Sequence, residues 1–167
     1  MKKTAIILGS ASDLPIASKS IDVLKRLSLP YEIYVISAHR TPERARDFAI
    51  NARCEGFGVI IAIAGKSAAL AGVLAAHTRL PVIGVPVKSD DLGGMDALLS
   101  TAQMPSGVPV ACVAINGGEN AGWLAARILS VEDEQTAALL EMEARDMARK
   151  VEQTNDSIRA EYGSEQL

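Results

Sequence analysis

The chain of 167 residues lacks several features that mark common classes of protein. With 17 basic and 20 acidic residues it has no excess of positive charge, which argues against a nucleic-acid-binding surface. Its two cysteines, Cys54 and Cys112, fit neither a disulfide framework nor a metal site. No apolar run approaches the ~20 residues of a membrane span, and the first residues show no cleavage pattern for secretion. We therefore expect a soluble, cytoplasmic protein that binds neither nucleic acid nor membrane.

Aromatic residues are also scarce, at 4% of the chain, whereas hydrophobic residues in total make up 49%. A core of small and aliphatic side chains is therefore expected. A chain of this length suits a single domain over residues 1–167, with its core at 4–130 and a long helix over about 131–162. That helix is predicted to be amphipathic because apolar residues recur at helical spacing, at Ala137, Leu140, Ala144, Met147 and Val151.

Five apolar or β-branched runs predict strands. They lie at residues 5–8, 31–36, 59–64, 81–86 and 108–115. Helical segments follow at 14–27, from 42 to near 54–56, after a start within 65–72, at 95–102 and at 121–129. Buried strands that alternate with helices form a parallel sheet covered on both faces. The predicted fold is therefore α/β, a three-layer α/β/α sandwich of flavodoxin-like or Rossmann-like topology.

The segment 37–42, Ser-Ala-His-Arg-Thr-Pro, joins the second strand to its helix and holds one of only two histidines. An imidazole titrates near neutral pH and a guanidinium suits phosphate, so His39 beside Arg40 is typical of acid/base chemistry on an anionic ligand. The alternative is a capping turn, in which Thr41 caps the helix and both neighbouring side chains are simply solvated.

The loop at 9–13, Gly-Ser-Ala-Ser-Asp, leaves a similar choice open. Its hydroxyls and free backbone N–H groups suit an anion, but an ordinary turn capped by Ser12 or Asp13 explains it equally well. Loops that follow parallel strands meet at one edge of the sheet, where α/β folds bind ligands. We therefore expect one crevice, suited to a phosphorylated sugar, lined by Ser10, Ser12, Asp13, Ser37, His39, Arg40, Lys66 and Ser67.

Several segments together resemble the PurE family. They are 9–13, 37–42, 80–87 and 103–111, and 120–126 is similar to a late helix of that family. The resemblance covers about residues 4–130. It implies a flavodoxin-like homo-octamer, with active sites between adjoining subunits, that works without metal or organic cofactor. It also implies that the chain acts in de novo purine synthesis, where 5-aminoimidazole ribonucleotide becomes 4-carboxy-5-aminoimidazole ribonucleotide.

The resemblance also implies roles for individual residues. His39 would be the general acid/base that moves a proton between ring C4 and the carboxylate. Arg40 would hold the phosphate, and the loop at 9–13 would hold ribose and phosphate through Ser10, Ser12 and Asp13. Further substrate contacts would come from Gly9, Ser37, Ala38, Gly65, Lys66, Ser67 and Leu70.

The segment 64–72 departs from part of that family. The mutase branch, which moves a carboxylate from N5 to C4, has Ala-Gly-Gly-Ala-Ala-His-Leu-Pro-Gly there, whereas this chain has Ala69 for the histidine and Ala71 for the proline. Lys66 and Ser67 resemble the Arg-Ser of the carboxylase branch and favour direct use of CO2. A cation at Lys66 would orient CO2 or stabilise a carboxylate, unless it is only a solvated side chain at a helix start.

Three other readings stay open. The segments 80–87 and 111–126 look more like the mutase branch, which keeps the mutase as an alternative. The altered segment 64–72 also fits a non-catalytic nucleotide-binding module, or an enzyme that carboxylates a different ring.

The loop 88–94 is polar and glycine-rich. Asp90 and Asp91 in this loop, and Asp96 just after it, could suggest a metal site, but no histidine or further carboxylate is spaced to complete one.

Overall fold

Five parallel strands form one sheet in the computed structural model, which describes residues 1–163. The strands are β1 (Lys3–Leu8), β2 (Tyr31–Val35), β3 (Phe57–Gly65), β4 (Val82–Val87) and β5 (Ala111–Cys112). Their order across the sheet is β2-β1-β3-β4-β5, and each neighbouring pair is parallel. The predicted α/β class and flavodoxin-like topology are confirmed.

Six α-helices connect and flank these strands within the described residues. They are α1 (Leu14–Arg26), α2 (Pro42–Asn51), α3 (Leu70–His77), α4 (Met95–Ala102), α5 (Gly118–Ser130) and α6 (Glu134–Tyr162). A single 3-10 turn, Ala11–Asp13, precedes α1. None of these helices is long and apolar enough to cross a membrane.

The sheet separates two apolar clusters because successive side chains of a strand point to opposite faces. Ile6 and Leu8 of β1 face the side covered by α1 and α5. Ala5 and Ile7 of the same strand face the side covered by α2 and α3. All four are buried. Strands that are apolar at every position are therefore explained by burial on both faces of the sheet.

The fifth strand is much shorter than the predicted 108–115. Only Ala111 and Cys112 pair with β4, and Val113 adds one hydrogen bond to the carbonyl oxygen of Gly84. Pro109 has no N–H to give to a strand ladder, and β5 lies at the edge of the sheet, where there is no second neighbour to extend it. The prediction was therefore right about the strand's existence and wrong about its length.

Asp13 and Thr41 occupy the N-cap positions of α1 and α2 as predicted, but neither side chain makes a capping hydrogen bond. Ser10 caps the 3-10 turn, and Asp13 occupies the position before α1 without capping it, because its carboxylate returns to the Ser10 N–H. The Thr41 hydroxyl does not cap α2 either: it accepts from the N–H of Ser37 and donates to the Ser37 carbonyl. The helix α2 also ends at Asn51, earlier than expected.

The last helix confirms the predicted long C-terminal element. It begins at Glu134, where the Asp133 carboxylate caps it by accepting from the Thr136 N–H at 2.8 Å. Leu139 and Leu140 pack against the cluster under α1 and α5. Every residue from 144 to 163 is exposed. More than half of α6 therefore extends beyond the rest of the fold, and the apolar side chains of that part are exposed.

Candidate functional site

A cavity of about 810 Å³ lies at the carboxyl edge of the sheet, a size typical of sites for small organic ligands. The loops that follow β1, β2, β3 and β4 form its walls. The structure brings together there all of the residues that the sequence singled out, namely Gly9, Ser10, Ser12, Asp13, Ser37, Ala38, His39, Arg40, Gly65, Lys66, Ser67 and Leu70.

The loop after β1 is held in shape by its own polar side chains. The N–H of Ser10 donates to Asp13 Oδ2 at 3.0 Å, and the hydroxyl of Ser12 donates to that of Ser10 at 3.0 Å. Burial raises the pKa of the Asp13 carboxyl, although hydrogen bonds from Ser10 and Ser12 partly oppose this effect. A buried carboxylate beside two hydroxyls is suited to accept hydrogen bonds from sugar hydroxyls.

The loop after β2 presents His39 and Arg40 to the cavity as exposed side chains. Ser37 organises this loop: its Oγ accepts from the backbone N–H of Arg40 at 3.2 Å and from Arg40 Nε at 3.5 Å. Thr41 closes the turn through its two bonds with the Ser37 backbone. The remaining guanidinium N–H groups of Arg40 stay available for a phosphate.

The loop after β3 contains a tight turn with unusual backbone geometry. The N–H of Ala68 donates to the Lys66 carbonyl at 2.7 Å, and Lys66 itself has a φ of 53°, in the left-handed region. Few residues other than glycine adopt that region. Ala69, where part of the resembled family has histidine, also lines the cavity. The turn therefore offers one cation and a small side chain to the ligand.

The fourth wall comes from the loop after β4, which the sequence interpretation did not include. Five further lining residues belong to this wall: Val87, Lys88, Ser89, Asp90 and Asp91. The signal was available, since this loop also follows a parallel strand and must reach the same edge of the sheet. Its acidic residues do not form a metal site, because within residues 1–163 no group of three or more His, Cys, Asp or Glu side chains is arranged to hold an ion.

An ion pair crosses the cavity mouth between two of these walls. Lys66 Nζ lies 2.7 Å from Asp91 Oδ2, and both side chains are mostly exposed. The hydrogen bond and charge of Asp91 raise the pKa of Lys66, so that the ammonium stays protonated through the neutral range. The cavity is therefore lined by three cationic residues on three different loops: Arg40 after β2, Lys66 after β3 and Lys88 after β4. His39, on the same loop as Arg40, is the residue suited to acid/base chemistry.

Comparison with known families gives one match that covers most of the chain. A family model described as AIR carboxylase matches residues 3–150. A protein of Pyrococcus horikoshii named N5-carboxyaminoimidazole ribonucleotide mutase is 52% identical over 148 residues, which cover 89% of this chain and 84% of the relative. A mutase of the same name from Thermotoga maritima is 48% identical over 151 residues, or 90% of this chain and 88% of the relative.

Two further comparisons add a second enzyme name and a solved structure. A phosphoribosylaminoimidazole carboxylase of Saccharomyces cerevisiae is 52% identical over 136 residues, which cover 81% of this chain but only 24% of that longer protein. The crystal structure of Treponema denticola PurE superimposes with a TM-score of 0.84 at 31% identity, covering 94% of this chain and 98% of the other. The likeness therefore extends through sequence, fold and nearly the full length of the chain.

Proposed function

Because the chain belongs to the AIR carboxylase family, also called PurE, we propose that it forms 4-carboxy-5-aminoimidazole ribonucleotide within the cavity described above. It is an enzyme of purine biosynthesis, and its relatives carry the names of two reactions, a mutase and a carboxylase. Both reactions create a bond from a carboxylate carbon to ring C4 of an aminoimidazole ribonucleotide. The single observation that carries the proposal is the convergence of His39, Arg40 and the hydroxyl loop on one cavity.

The proposed chemistry needs one group that gives and takes a single proton. In the mutase, protonation of N5 by the imidazolium of His39 accompanies cleavage of the N–C bond and releases CO2 inside the cavity. Ring C4 then attacks the CO2 carbon, and the proton lost from C4 returns to His39. The carboxylase uses only the second half, with CO2 entering from solution. An imidazole is suited to both directions because it titrates near neutral pH.

Binding of the nucleotide is assigned to the first two loops. The guanidinium of Arg40, steadied by Ser37, has the fork geometry that suits a phosphate. Ser10, Ser12 and Asp13 would take ribose and phosphate oxygens. This division leaves the third and fourth loops for the ring and its carboxylate.

Two carbon sources are candidates, and a different observation favours each. The N5-carboxylated precursor is favoured by relatives named mutases that match over 84% and 88% of their own length. Direct use of CO2, the preference drawn from Lys66 and Ser67, is not confirmed by these names. Two observations still support direct use of CO2: the exposed cation Lys66 lines the cavity, and position 69 holds alanine rather than the histidine of the mutase branch.

An ultraviolet assay of the purified protein separates these candidates. One assay contains 5-aminoimidazole ribonucleotide with bicarbonate and CO2, and the other contains only the N5-carboxylated precursor. Saturable turnover with CO2 at modest concentration would establish the carboxylase. Turnover only with the precursor would establish a mutase that works without the usual histidine at position 69. No turnover with either would contradict the proposal and favour a non-catalytic nucleotide-binding module or a different ring.

We also propose assembly into a homo-octamer with active sites between adjoining subunits, as the family resemblance implies. Two features support association: the exposed stripe Leu92, Met95 and Leu99, and the uncovered part of α6. Size-exclusion chromatography coupled to light scattering measures the molar mass of the assembly and therefore the number of subunits. A cytoplasmic location is proposed as well, because the exposed free thiol of Cys54 suits a reducing compartment.

A further inference from the structure

Lys66 occupies a backbone conformation that its side chain makes unfavourable. Its φ of 53° lies in the left-handed region, which glycine adopts freely and a residue with a Cβ adopts at a cost. Strained residues of this kind concentrate where function requires the side chain. Since glycine would satisfy the turn at a lower cost, the presence of a lysine here suggests a role for its side chain.

The partner of Lys66 in the structure is held only weakly. The ammonium and the Asp91 carboxylate are 2.7 Å apart, but their side chains are 70% and 63% exposed, and exposed ion pairs contribute little to stability. An ammonium also carries three N–H donors, of which one carboxylate oxygen satisfies one. Asp91 therefore positions the Lys66 ammonium, but the ammonium is free to bind another anion in place of Asp91 or together with it.

The loop that carries Asp91 and the first turn of α4 after it each have one buried polar atom without a partner among the described residues. Within residues 1–163, the buried atoms Ser89 Oγ and Asp96 Oδ1 have no hydrogen bond. Most buried polar atoms in native proteins are hydrogen-bonded to protein or to water, so an atom without a protein partner indicates capacity for a further hydrogen bond. The negative charges of Asp90 and Asp96 also act on the Lys66 ammonium, after that of Asp91. The segment 88–96 is thus suited to rearrange when an anion reaches Lys66.

The sheet order separates Lys66 and Asp91 from the proposed phosphate site. Arg40 follows β2 at one edge of the sheet, while Lys66 follows β3, two strands away, and Asp91 follows β4, three strands away. At ~4.8 Å per strand, the loop of Lys66 is about 10 Å and the loop of Asp91 about 14 Å from the loop of Arg40 at the sheet. A nucleotide whose phosphate lies at Arg40 therefore extends its ring, rather than its phosphate, toward Lys66. The anion available at that end is the carboxylate on the ring.

We propose that Lys66 recognises the carboxylate carried by the aminoimidazole ring. Asp91 forms an ion pair with the Lys66 ammonium, and the carboxylate of the substrate or product displaces Asp91 when it binds. This inference rests on the proposed function, because it takes the ring carboxylate as the ligand. It applies to the mutase and the carboxylase alike, since both end on the same carboxylated product. Asp91 is accordingly a positioning residue, and Lys66 determines selectivity for the carboxylated nucleotide.

Calorimetric titration with two nucleotides tests the proposal. The ligands are 5-aminoimidazole ribonucleotide and its 4-carboxy product, and His39→Asn is introduced in every variant to stop turnover during the measurement. Lys66→Met should weaken binding of the carboxylated nucleotide about tenfold or more, as expected for a lost charged hydrogen bond, and change the uncarboxylated one less than about twofold. Lys66→Arg keeps the charge and should restore part of the selectivity.

Asp91→Asn should strengthen binding of the carboxylated nucleotide by about threefold, because the competing anion is gone. Asp22→Asn, an exposed carboxylate on α1 that does not line the cavity, is the charge-matched control and should leave the ratio of the two affinities close to that of the parent. Equal loss of both ligands in Lys66→Met would instead place the phosphate at Lys66 and overturn the inference. Weaker binding of the carboxylated nucleotide in Asp91→Asn would show that Asp91 does not compete with the ligand carboxylate for Lys66.

The outcomes separate this inference from the proposed function. If the parent binds neither nucleotide, the proposed function fails and this inference fails with it. If the parent binds both, and neither affinity responds to Lys66→Met, only the inference fails and Lys66 is a solvated side chain. Circular dichroism of each variant confirms that it is folded before titration.

Discussion

The Ser20 hydroxyl donates a buried 2.6 Å hydrogen bond to the backbone carbonyl of Gly118, which lies 98 residues further along the chain. The bond joins α1 to the first residue of α5 on one face of the sheet. The two helices approach so closely that a Cβ on Gly118 would lie 2.1 Å from the Ile16 carbonyl oxygen. Since α1 directly follows the loop that carries Ser12 and Asp13, this helix contact also holds one wall of the cavity in place.

Gly118→Ala should destabilise the protein by about 1–3 kcal/mol, because the added methyl group meets backbone that cannot yield without separating α1 from α5. Urea unfolding followed by circular dichroism measures the loss. Asn120→Ala changes an exposed residue of the same helix and should stay within about 0.5 kcal/mol of the wild type. An unchanged midpoint for Gly118→Ala would show that the close approach is not maintained in solution.

His39→Asn should abolish turnover while leaving nucleotide affinity within about threefold, because asparagine retains polarity but cannot exchange a proton near neutral pH. The rate is measured by ultraviolet absorbance and the affinity by calorimetry. His77→Asn is the matched control, since the only other histidine ends α3, is exposed and does not line the cavity. Retained turnover in His39→Asn would remove the assigned proton transfer from this residue.

Asp13→Asn should become more stable relative to the wild type as the pH rises. Burial raises the pKa of Asp13 in the folded protein above the 3.8 of a free side chain, so the folded state holds this proton more tightly than the unfolded state. The wild type therefore loses stability as the pH rises from below 3.8 through that raised pKa. Asparagine does not ionise, and its Oδ1 can still accept from the Ser10 N–H.

Thermal unfolding of both proteins at a series of pH values measures this difference. Asp22→Asn, an exposed carboxylate on α1, controls for the change in net charge. A difference in Tm between Asp13→Asn and the wild type that stays constant across the acidic range would contradict the role of burial at Asp13.

Lys66→Gly should unfold at a temperature about 2–4 °C above Lys66→Ala, because glycine relieves the left-handed strain and alanine does not. Both variants lose the ion pair with Asp91, so alanine is a control for the missing side chain. Differential scanning calorimetry gives the two values of Tm. Equal values would show that the backbone at position 66 carries no strain, and would remove one support for a functional role of its side chain.

Much of this molecule could be predicted from its residues alone. Strands that are apolar at every position predict burial on both faces, and their alternation with helices predicts a parallel sheet. The predicted helix at 95–102 matches α4 to the residue. The rule that loops after parallel strands share an edge was also sufficient to bring residues of three loops into one predicted crevice, which the structure shows as one cavity.

The tertiary structure decided features that depend on residues distant in sequence. Only Ala111 and Cys112 of the predicted fifth strand come close enough to pair with β4. The capping bonds expected of Asp13 and Thr41 go instead to loop atoms. Periodicity describes one segment at a time, so it contains no information about such competition.

The same reason explains the pairing of Lys66 with Asp91, which are 25 positions apart and belong to loops that the sequence had assigned different roles. The sequence by itself determined that the loops after the first three strands meet at the carboxyl edge of the sheet, because parallel strand direction follows from the alternation of strands and helices. Only the folded arrangement decided which of those side chains touch one another, because a hydrogen bond or ion pair depends on distances of a few ångströms between loops.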